Sequence, residues 1–169
     1  MQTFEELKST LTELNNDNSQ TNHRKFFELF PNSFGSFEKT FGYKNGKEAS
    51  LYDGHEYIVK FFSLDSILES ELLNKWINIS LGGHWDADAV NYFQHYLRPR
   101  VFKNIDLTYK LLKKRPKKEI ESFFYFFFNE IHRQYETIPK EFGKLKNSDK
   151  EFYSLLSKGH KRAIENSGH

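Results

Sequence analysis

The sequence predicts an all-α fold, and three observations lead to that prediction. Apolar residues recur at intervals of three and four along almost the whole chain, as they do on one face of an α-helix. Stiff β-branched residues, which favour sheets, are scarce, with 3 Val and 7 Thr against 17 Leu and 18 Phe. No segment carries a clear strand signal. We therefore expect seven to nine helices in a single domain of residues 1–169.

The first predicted helix begins at Thr3. Thr3 and Glu6 have the spacing of a capping box, in which each side chain satisfies a free backbone N–H at the helix start. The apolar stripe of this helix consists of Phe4, Leu7, Leu11 and Leu14. A polar run at 15–22 ends the helix, because its side chains compete for backbone hydrogen bonds. Residues 1–15 are therefore a candidate detachable arm.

Four further helices are predicted in the first half of the chain. Their apolar faces are Phe26, Phe27 and Phe30; Phe34, Phe37 and Phe41; Tyr57, Ile58, Phe61 and Phe62; and Leu68, Leu72, Trp76 and Ile79. Pro31 ends the first of these helices and Ser33 caps the second. Asp53 and Glu56 predict a capping box for the third, and Asn45-Gly46 predicts a turn.

The most apolar helix is predicted in the second half of the chain. Its stripe after Pro116 consists of Ile or Phe at positions 120, 123, 124, 127, 128 and 131, widened by Tyr125 and Phe126. A helix that is apolar nearly all round is expected at the centre of a fold. We therefore expect the other helices to surround it, including a last helix capped by Ser148 and Glu151.

Composition excludes several classes of protein. The chain has no cysteine, which excludes disulfides, thiolate zinc sites, iron–sulfur clusters and a cysteine nucleophile, and which fits the cytoplasm. No apolar run reaches the roughly 18 residues that a membrane helix needs. The N-terminus has acidic residues in place of the apolar core of a signal peptide. We therefore expect a cytoplasmic protein with no membrane partner.

Charge is distributed unevenly along the chain. Residues 1–97 hold 8 Lys or Arg and 14 Asp or Glu, a balance of −6, whereas residues 98–118 hold nine basic residues and one acidic residue, a balance of +8. The candidate anion-binding residues in the basic stretch are Arg98, Arg100, Lys113, Lys114, Arg115, Lys117 and Lys118. The alternative interpretation is a solvated connection between two helices, whose Lys side chains complement a helix dipole.

Residues 81–95 combine the residue types that carry recognition or chemistry. They contain a double glycine, two His, two Asp, one Asn and one Trp around a single predicted helix start. Residues at positions 0, +3, +4 and +7 from Asp88 share one helix face, and Tyr and Trp are frequent interface anchors. The candidate partner-binding residues are therefore Trp85, Asp88, Asn91, Tyr92 and His95.

The same segment has other interpretations. Candidate ligands for a metal ion or a small molecule are His84, Asp86, Asp88 and His95. No zinc-binding spacing such as H-E-x-x-H is present, and Asp86 is expected more simply as a helix N-cap and Trp85 as a core residue. The chain also contains no nucleophile elbow, P-loop or Gly-rich dinucleotide turn. We therefore predict no catalytic residues, no bound metal and no cofactor.

Two stretches resemble segments of small, largely uncharacterised helical bacterial proteins. They are FPNSFGSFEKTFGY, which begins at Phe30, and GHWDADAVNYFQ, which begins at Gly83. The resemblance covers roughly residues 26–130. Such proteins are associated with toxin-immunity loci, so the resemblance implies an immunity protein, and it brings no assigned catalytic residues.

These observations predict a binding protein of the immunity or antitoxin kind, which is not an enzyme and covers another protein, such as a toxin, with a charged helical face. One alternative is a nucleic-acid-associated protein that uses residues 98–118, whose binding would fall steeply with salt. Another is a helical enzyme or ligand binder with a site at residues 84–95. The sequence leaves the identity of the partner and the oligomeric state open.

Overall fold

The computed structural model of the chain describes residues 4–86, 88–132 and 134–166. Over these residues the fold is all-helical, as predicted, with ten α-helices. The helices are α1 (Phe4–Asn16), α2 (Gln20–Leu29), α3 (Phe34–Phe41), α4 (His55–Phe62), α5 (Glu69–Ser80), α6 (Asp88–Lys103), α7 (Ile105–Lys113), α8 (Lys117–Phe128), α9 (Gly143–Ser148) and α10 (Lys150–Asn166). The count exceeds the predicted range because the short α9, which follows a 3₁₀ turn at Lys140–Phe142, has no apolar periodicity of its own.

A small hairpin is the exception to the helical fold. Strands β1 (Tyr43–Lys44) and β2 (Lys47–Glu48) pair in an antiparallel register around Asn45-Gly46. Asn45 has a φ of 53° and Gly46 a φ of 76°. Positive φ at both central positions is typical of the tight turn that Asn-Gly favours in two-residue hairpin loops. The turn was predicted, but strands of two residues are too short to produce a periodic signal.

Two compact units make up the chain. Unit 1 contains Met1–Ile79 and Asp86–Tyr96, and unit 2 contains Ser80–Trp85 and Leu97–His169. Helix α6 therefore contributes its first half to unit 1 and its second half to unit 2.

The core of unit 1 is built from phenylalanine rings. Phe30, at the end of α2, stacks on Phe61 of α4 with ring centroids 3.8 Å apart and an interplanar angle of 9°. Phe37 of α3 contacts Phe93 of α6 at 5.2 Å, edge to face. These rings are almost completely buried, so each contributes a large apolar area to the core.

Helix α1, the predicted detachable arm, packs on its own chain. It contacts α2, and its leucines Leu7, Leu11 and Leu14 are 3%, 5% and 0% exposed. Thr3, the predicted first residue of its capping box, lies outside the described residues.

The core of unit 2 forms where α8 packs against α10. The rings of α8 at positions 123, 124, 126, 127 and 128 are at most 1% exposed. The two helices approach closely at Gly159 of α10, because a Cβ built there would lie 2.6 Å from the carbonyl oxygen of Glu121. The Phe-rich helix is thus central to unit 2, whereas the rings of α2, α3 and α4 supply the core of unit 1.

Three residues that were assigned to apolar helix faces are exposed, and they are Phe4, Leu68 and Ile131. Leu68 is 67% exposed and Ile131 is 43% exposed. Leu68 precedes α5, which begins at Glu69, and Ile131 follows α8, which ends at Phe128. The predictions for Leu68 and Ile131 were wrong because helical periodicity has no meaning beyond the end of a helix. Phe4 is 41% exposed as the first residue of α1, so the buried stripe of that helix begins at Leu7.

Helix caps were predicted with mixed success. Ser33 caps α3 as predicted, and it forms a capping box with Ser36. The capping box of Asp53 and Glu56 is wrong, because the N-cap of α4 is Gly54 and no side chain caps it. None of the described helices is long and apolar enough to cross a membrane.

The cap of α10 is Asp149, one residue after the predicted Ser148. The Oδ1 atom of Asp149 accepts a hydrogen bond from the backbone N–H of Phe152 at 3.0 Å. The hydroxyl of Ser148 instead donates to the carbonyl of Lys144 at 3.0 Å, as a side chain in the last turn of α9 does. The helix start was therefore predicted within one residue, but the capping side chain was not.

Candidate partner-binding surface

The predicted polar face of α6 is exposed to solvent. Helix α6 begins at Asp88, and the side chains of Asp88, Asn91 and His95 are exposed while Tyr92 is half-buried. The opposite side of the helix is buried in unit 1, where Val90 is 2% exposed. Four of the five candidate partner-binding residues therefore share one accessible side of α6.

A stack of aromatic rings forms beside this face. The ring of Tyr92 stacks on the imidazole of His55, the first residue of α4, with centroids 4.0 Å apart and an angle of 26°. One helical turn further along α6, the hydroxyl of Tyr96 lies 3.3 Å from Nε2 of His55. His95 packs edge to face against Tyr96 at 5.2 Å. These contacts hold the Tyr92 ring in one orientation at the surface.

Two further tyrosines lie in the segment between α3 and α4. The rings of Tyr43, which is 45% exposed, and Tyr52 are 6.0 Å apart. Partial burial raises the pKa of the Tyr52 hydroxyl. The negative charges of nearby carboxylates raise it further, and these carboxylates are Asp88, Glu48 and Asp53. The half-buried rings of His55, Tyr92 and Tyr96 contact one another, and we name these three rings the aromatic face. Asp53 lies two residues before His55, Asp88 lies one helical turn before Tyr92 on α6, and Glu48 pairs with Tyr43 in the hairpin. We name these three carboxylates the acidic rim.

Sequence reasoning found only part of this surface. Tyr96 follows Tyr92 by four residues, so helical spacing was a signal that could have added it. His55 lies far from α6 in sequence and gave no signal of its own, because only tertiary packing brings it against Tyr92.

Trp85, the fifth candidate, lies in unit 2. It is half-buried, so it is not the buried core residue of the simpler alternative, and its assignment as a partner-binding residue stays a prediction. Its backbone N–H donates a hydrogen bond to Oδ1 of Asn129 at 2.6 Å. It lines a small cavity of about 250 Å³ together with His84, Tyr125 and other residues of unit 2.

The alternative ligand set is not gathered into a metal centre. Among the described residues, no group of three or more His, Asp or Glu side chains is arranged to hold a metal ion. His84 belongs to unit 2, whereas Asp86, Asp88 and His95 belong to unit 1. Asp86 precedes the first residue of α6 by two positions, so it does not occupy the N-cap position that was predicted for it. The residue between them, 87, lies outside the described part of the chain.

Arg98 does not belong to an exposed basic surface. It is 6% exposed, and its Nη1 lies 2.8 Å from Oε2 of Glu130, which is equally buried. Its Nε donates to the carbonyl of Phe127 at 3.0 Å. Burial lowers the pKa of the Arg98 guanidinium, and the negative charge of Glu130 opposes that effect. The prediction that Arg98 binds an anion is therefore corrected: it forms a structural ion pair inside unit 2.

The rest of the basic stretch is partly neutralised by carboxylates of unit 2. The ion pairs are Lys113 with Asp149 at 2.5 Å, Arg115 with Glu119 at 3.2 Å, and Lys117 with Glu151. Arg100 is half-buried, and Lys114 and Lys118 are exposed. Surface pairs of this kind contribute little stability, but they place negative charge beside positive charge. The stretch therefore presents less net positive charge than its +8 in the sequence suggests.

The chain matches no protein-family model, no curated protein and no solved structure. The resemblance to proteins of toxin-immunity loci therefore stays a prediction, and function has to be argued from the geometry of the surface.

Proposed function

We propose that this chain is a cytoplasmic binding protein of the immunity or antitoxin kind, which catalyses no reaction and neutralises another protein by covering it. The observation that carries the proposal is the stack of Tyr92 on His55 at an accessible surface of unit 1. Half-buried tyrosines bury a large area on binding and have only two side-chain torsions to immobilise. The stack therefore has the character of an interface anchor.

Ring contacts within unit 1 support the anchor. His55 contacts both Tyr92 and Tyr96, and Tyr96 also packs at 5.7 Å from Phe62 in the core of unit 1. His55 and Phe62 lie on α4, and Tyr92 and Tyr96 lie on α6, so helices and not loops position these side chains. Because little rotamer freedom is left to lose, binding at this surface costs less entropy than binding by a mobile loop.

The nucleic-acid alternative has less support. Arg98 is buried against Glu130, and three other basic side chains of the stretch are paired with carboxylates. Counterion release requires cations that reach phosphate groups, and an intramolecular carboxylate competes for each of them.

The proposal is tested by a pull-down with the tagged full chain from a lysate of its source cell, with and without nuclease. We compare the wild type with Tyr92→Ala and with the matched control Tyr153→Ala, which removes another half-buried tyrosine, on α10. We expect a stoichiometric protein partner that survives nuclease, is retained by the control and is lost at least tenfold with Tyr92→Ala.

Two results would contradict the proposal. Equal retention by Tyr92→Ala and the control would show that the aromatic face is not the interface. Loss of every partner on nuclease treatment would favour the basic stretch. Thermal melting of each variant separates loss of binding from loss of folding, because a folded Tyr92→Ala variant keeps the wild-type melting curve to within a few degrees.

A further inference from the structure

The acidic rim forms no ion pair with the part of the chain that the structure describes. Of the described residues, no lysine, arginine or histidine forms an ion pair with Glu48, Asp53 or Asp88. All three carboxylates are exposed. Asp53 lies two residues before His55, the first residue of α4, and Asp88 lies one helical turn before Tyr92 on α6.

Many basic residues of the same unit are already engaged elsewhere. The ion pairs are Arg24 with Glu71 at 2.6 Å, Lys25 with Glu13 at 2.5 Å, and Lys44 with Glu38 at 2.9 Å. Lys75 is buried at 6% exposure. Because each of these pairs engages one cation and one carboxylate, the excess of six negative charges over residues 1–97 remains, and the exposed carboxylates of the rim carry part of it.

We infer that the aromatic face and its acidic rim form a docking surface for a basic polypeptide, one that presents Lys or Arg side chains. This inference rests on the proposed function and names the chemistry of the partner. The faces of tyrosine rings attract cations, and Arg also stacks on them as a plane. The carboxylates of the rim attract the same groups at longer range.

The two parts of the surface act at different stages of binding. Carboxylates at a rim accelerate encounter with a basic surface and discriminate against acidic ones, whereas desolvated rings at the centre slow dissociation. A nucleic acid is disfavoured here, because its phosphates would face Glu48, Asp53 and Asp88. Both the rings and the carboxylates of the rim therefore favour a partner with a largely basic surface.

The experiment is an NMR titration of the ¹⁵N-labelled full chain with a synthetic decapeptide of arginine, and with a decapeptide of glutamate as the negative probe. We expect arginine decapeptide to shift the amides of Tyr52, His55, Asp88 and Tyr92 more than those of unit 2, and glutamate decapeptide to shift none of them. This titration uses the wild type alone, so its result does not depend on the folding of a variant.

Two double variants with equal charge change test the rim. Asp53→Asn with Asp88→Asn removes two of the three rim charges, and Asp17→Asn with Glu69→Gln removes two exposed charges elsewhere on unit 1. We expect the first pair to weaken the binding of arginine decapeptide at least fivefold and the second pair to change it less than twofold. Binding by all three proteins should weaken as salt rises from about 50 to about 300 mM.

The outcomes separate the two proposals. Equal weakening by both double variants, or shifts spread over the whole surface, would mean non-specific attraction and overturn the inference. If the pull-down partner depends on Tyr92 but arginine decapeptide does not bind at the face, the proposed function stands and the basic partner is wrong. If the peptide binds at the face but no partner depends on Tyr92, the proposed function is the part that fails.

Discussion

The ammonium group of Lys75 donates a hydrogen bond to the backbone carbonyl of Phe27 in the last turn of α2. In an uninterrupted helix this carbonyl accepts from the N–H four residues later, but that residue is Pro31, which has no N–H. Lys75 also lies over the ring of Phe27, with Nζ 4.6 Å from the ring centroid. A lysine of α5 thus supplies the donor that a proline removes from α2.

The first prediction concerns the pH dependence of this contact. Burial lowers the pKa of Lys75 to about 8, while the charge of Glu28 opposes the shift. The unfolded chain, with an ordinary lysine, binds more protons than the folded chain between about pH 8 and about pH 10.5. The free energy of unfolding therefore rises with pH in this window, by about 2 kcal/mol between pH 7 and pH 9.5.

Urea unfolding of the wild type and of Lys75→Met at pH 7, 8.5 and 9.5 checks this prediction. The difference between the two proteins removes the contribution of tyrosines that titrate at the upper end of the range. A wild type whose stability relative to Lys75→Met stays constant across these pH values would show that Lys75 titrates normally.

The second prediction concerns the buried pair of Arg98 and Glu130. Arg98→Met leaves the Glu130 carboxylate buried with no cation, and we expect it to cost about 3–5 kcal/mol of stability. Adding Glu130→Gln removes this buried charge. The substituted side chain keeps an oxygen that accepts the hydrogen bond from the backbone N–H of Gln134, which lies 2.6 Å from Oε1 of Glu130 in the wild type. We therefore expect the double variant to be more stable than Arg98→Met alone. A double-mutant cycle by urea unfolding measures the coupling, and additive losses would mean that the pair does not interact as a unit.

The third prediction compares two glycines within helices. At Gly159 a Cβ would lie 2.6 Å from the carbonyl oxygen of Glu121 and 2.8 Å from the backbone nitrogen of Tyr125. Gly159→Ala should therefore destabilise the chain, because α8 and α10 must move apart. Gly35→Ala in α3 meets no atom within 4 Å and should stabilise the chain by up to about 1 kcal/mol through helix propensity. Thermal melting of both variants tests the contrast, and a stabilised Gly159→Ala would contradict the close approach of the two helices.

The fourth prediction concerns the cap of α10. Asp149 accepts hydrogen bonds from the ammonium of Lys113, the N–H of Phe152 and the hydroxyl of Tyr109, and these bonds lower its pKa to about 2. Its stabilising contribution is fully present above the ordinary Asp pKa of about 4 and is lost as the pH falls towards 2.

Asp149→Ala should accordingly lower the free energy of unfolding by about 1 kcal/mol or more near neutral pH. Between pH 4 and pH 2, the free energy of unfolding of this variant should fall less steeply than that of the wild type. Ser148→Ala is the control, because Ser148 does not cap α10, and we expect it to change stability by less than about 0.5 kcal/mol. Urea unfolding at three pH values provides the measurement. An equal loss of unfolding free energy in both variants would show that Ser148 caps α10 as much as Asp149 does.

Much of the helical architecture could be predicted from local patterns. Ser33 was identified as a cap because the capping side chain and its N–H lie three residues apart in the chain. The Asn45-Gly46 turn was predicted for the same kind of reason, since its left-handed backbone is a property of the two residues themselves. Leu68 and Ile131 mark the limit of such patterns, because the helix ends that expose them depend on packing.

The functional surface shows the same division. Asp88, Asn91, Tyr92 and His95 could be placed on one face from their spacing, because an α-helix repeats every 3.6 residues whatever its surroundings. The sequence also showed the charge asymmetry that motivates a charged interface. These features follow from covalent neighbours and helical geometry.

Only the tertiary structure decided which charges and rings are available. Less than two helical turns of α6 separate Arg98 from Tyr92. Arg98 is nevertheless buried in an ion pair with Glu130, whereas Tyr92 stacks on His55 at the surface. Their partners come from segments that are distant in sequence, and neither the burial of a charge nor the exposure of a ring can be derived from residues nearby in the chain. By itself, the sequence determined helices, several of their ends and the faces that they present. Packing between distant segments determined the aromatic face and removed Arg98 from the basic surface.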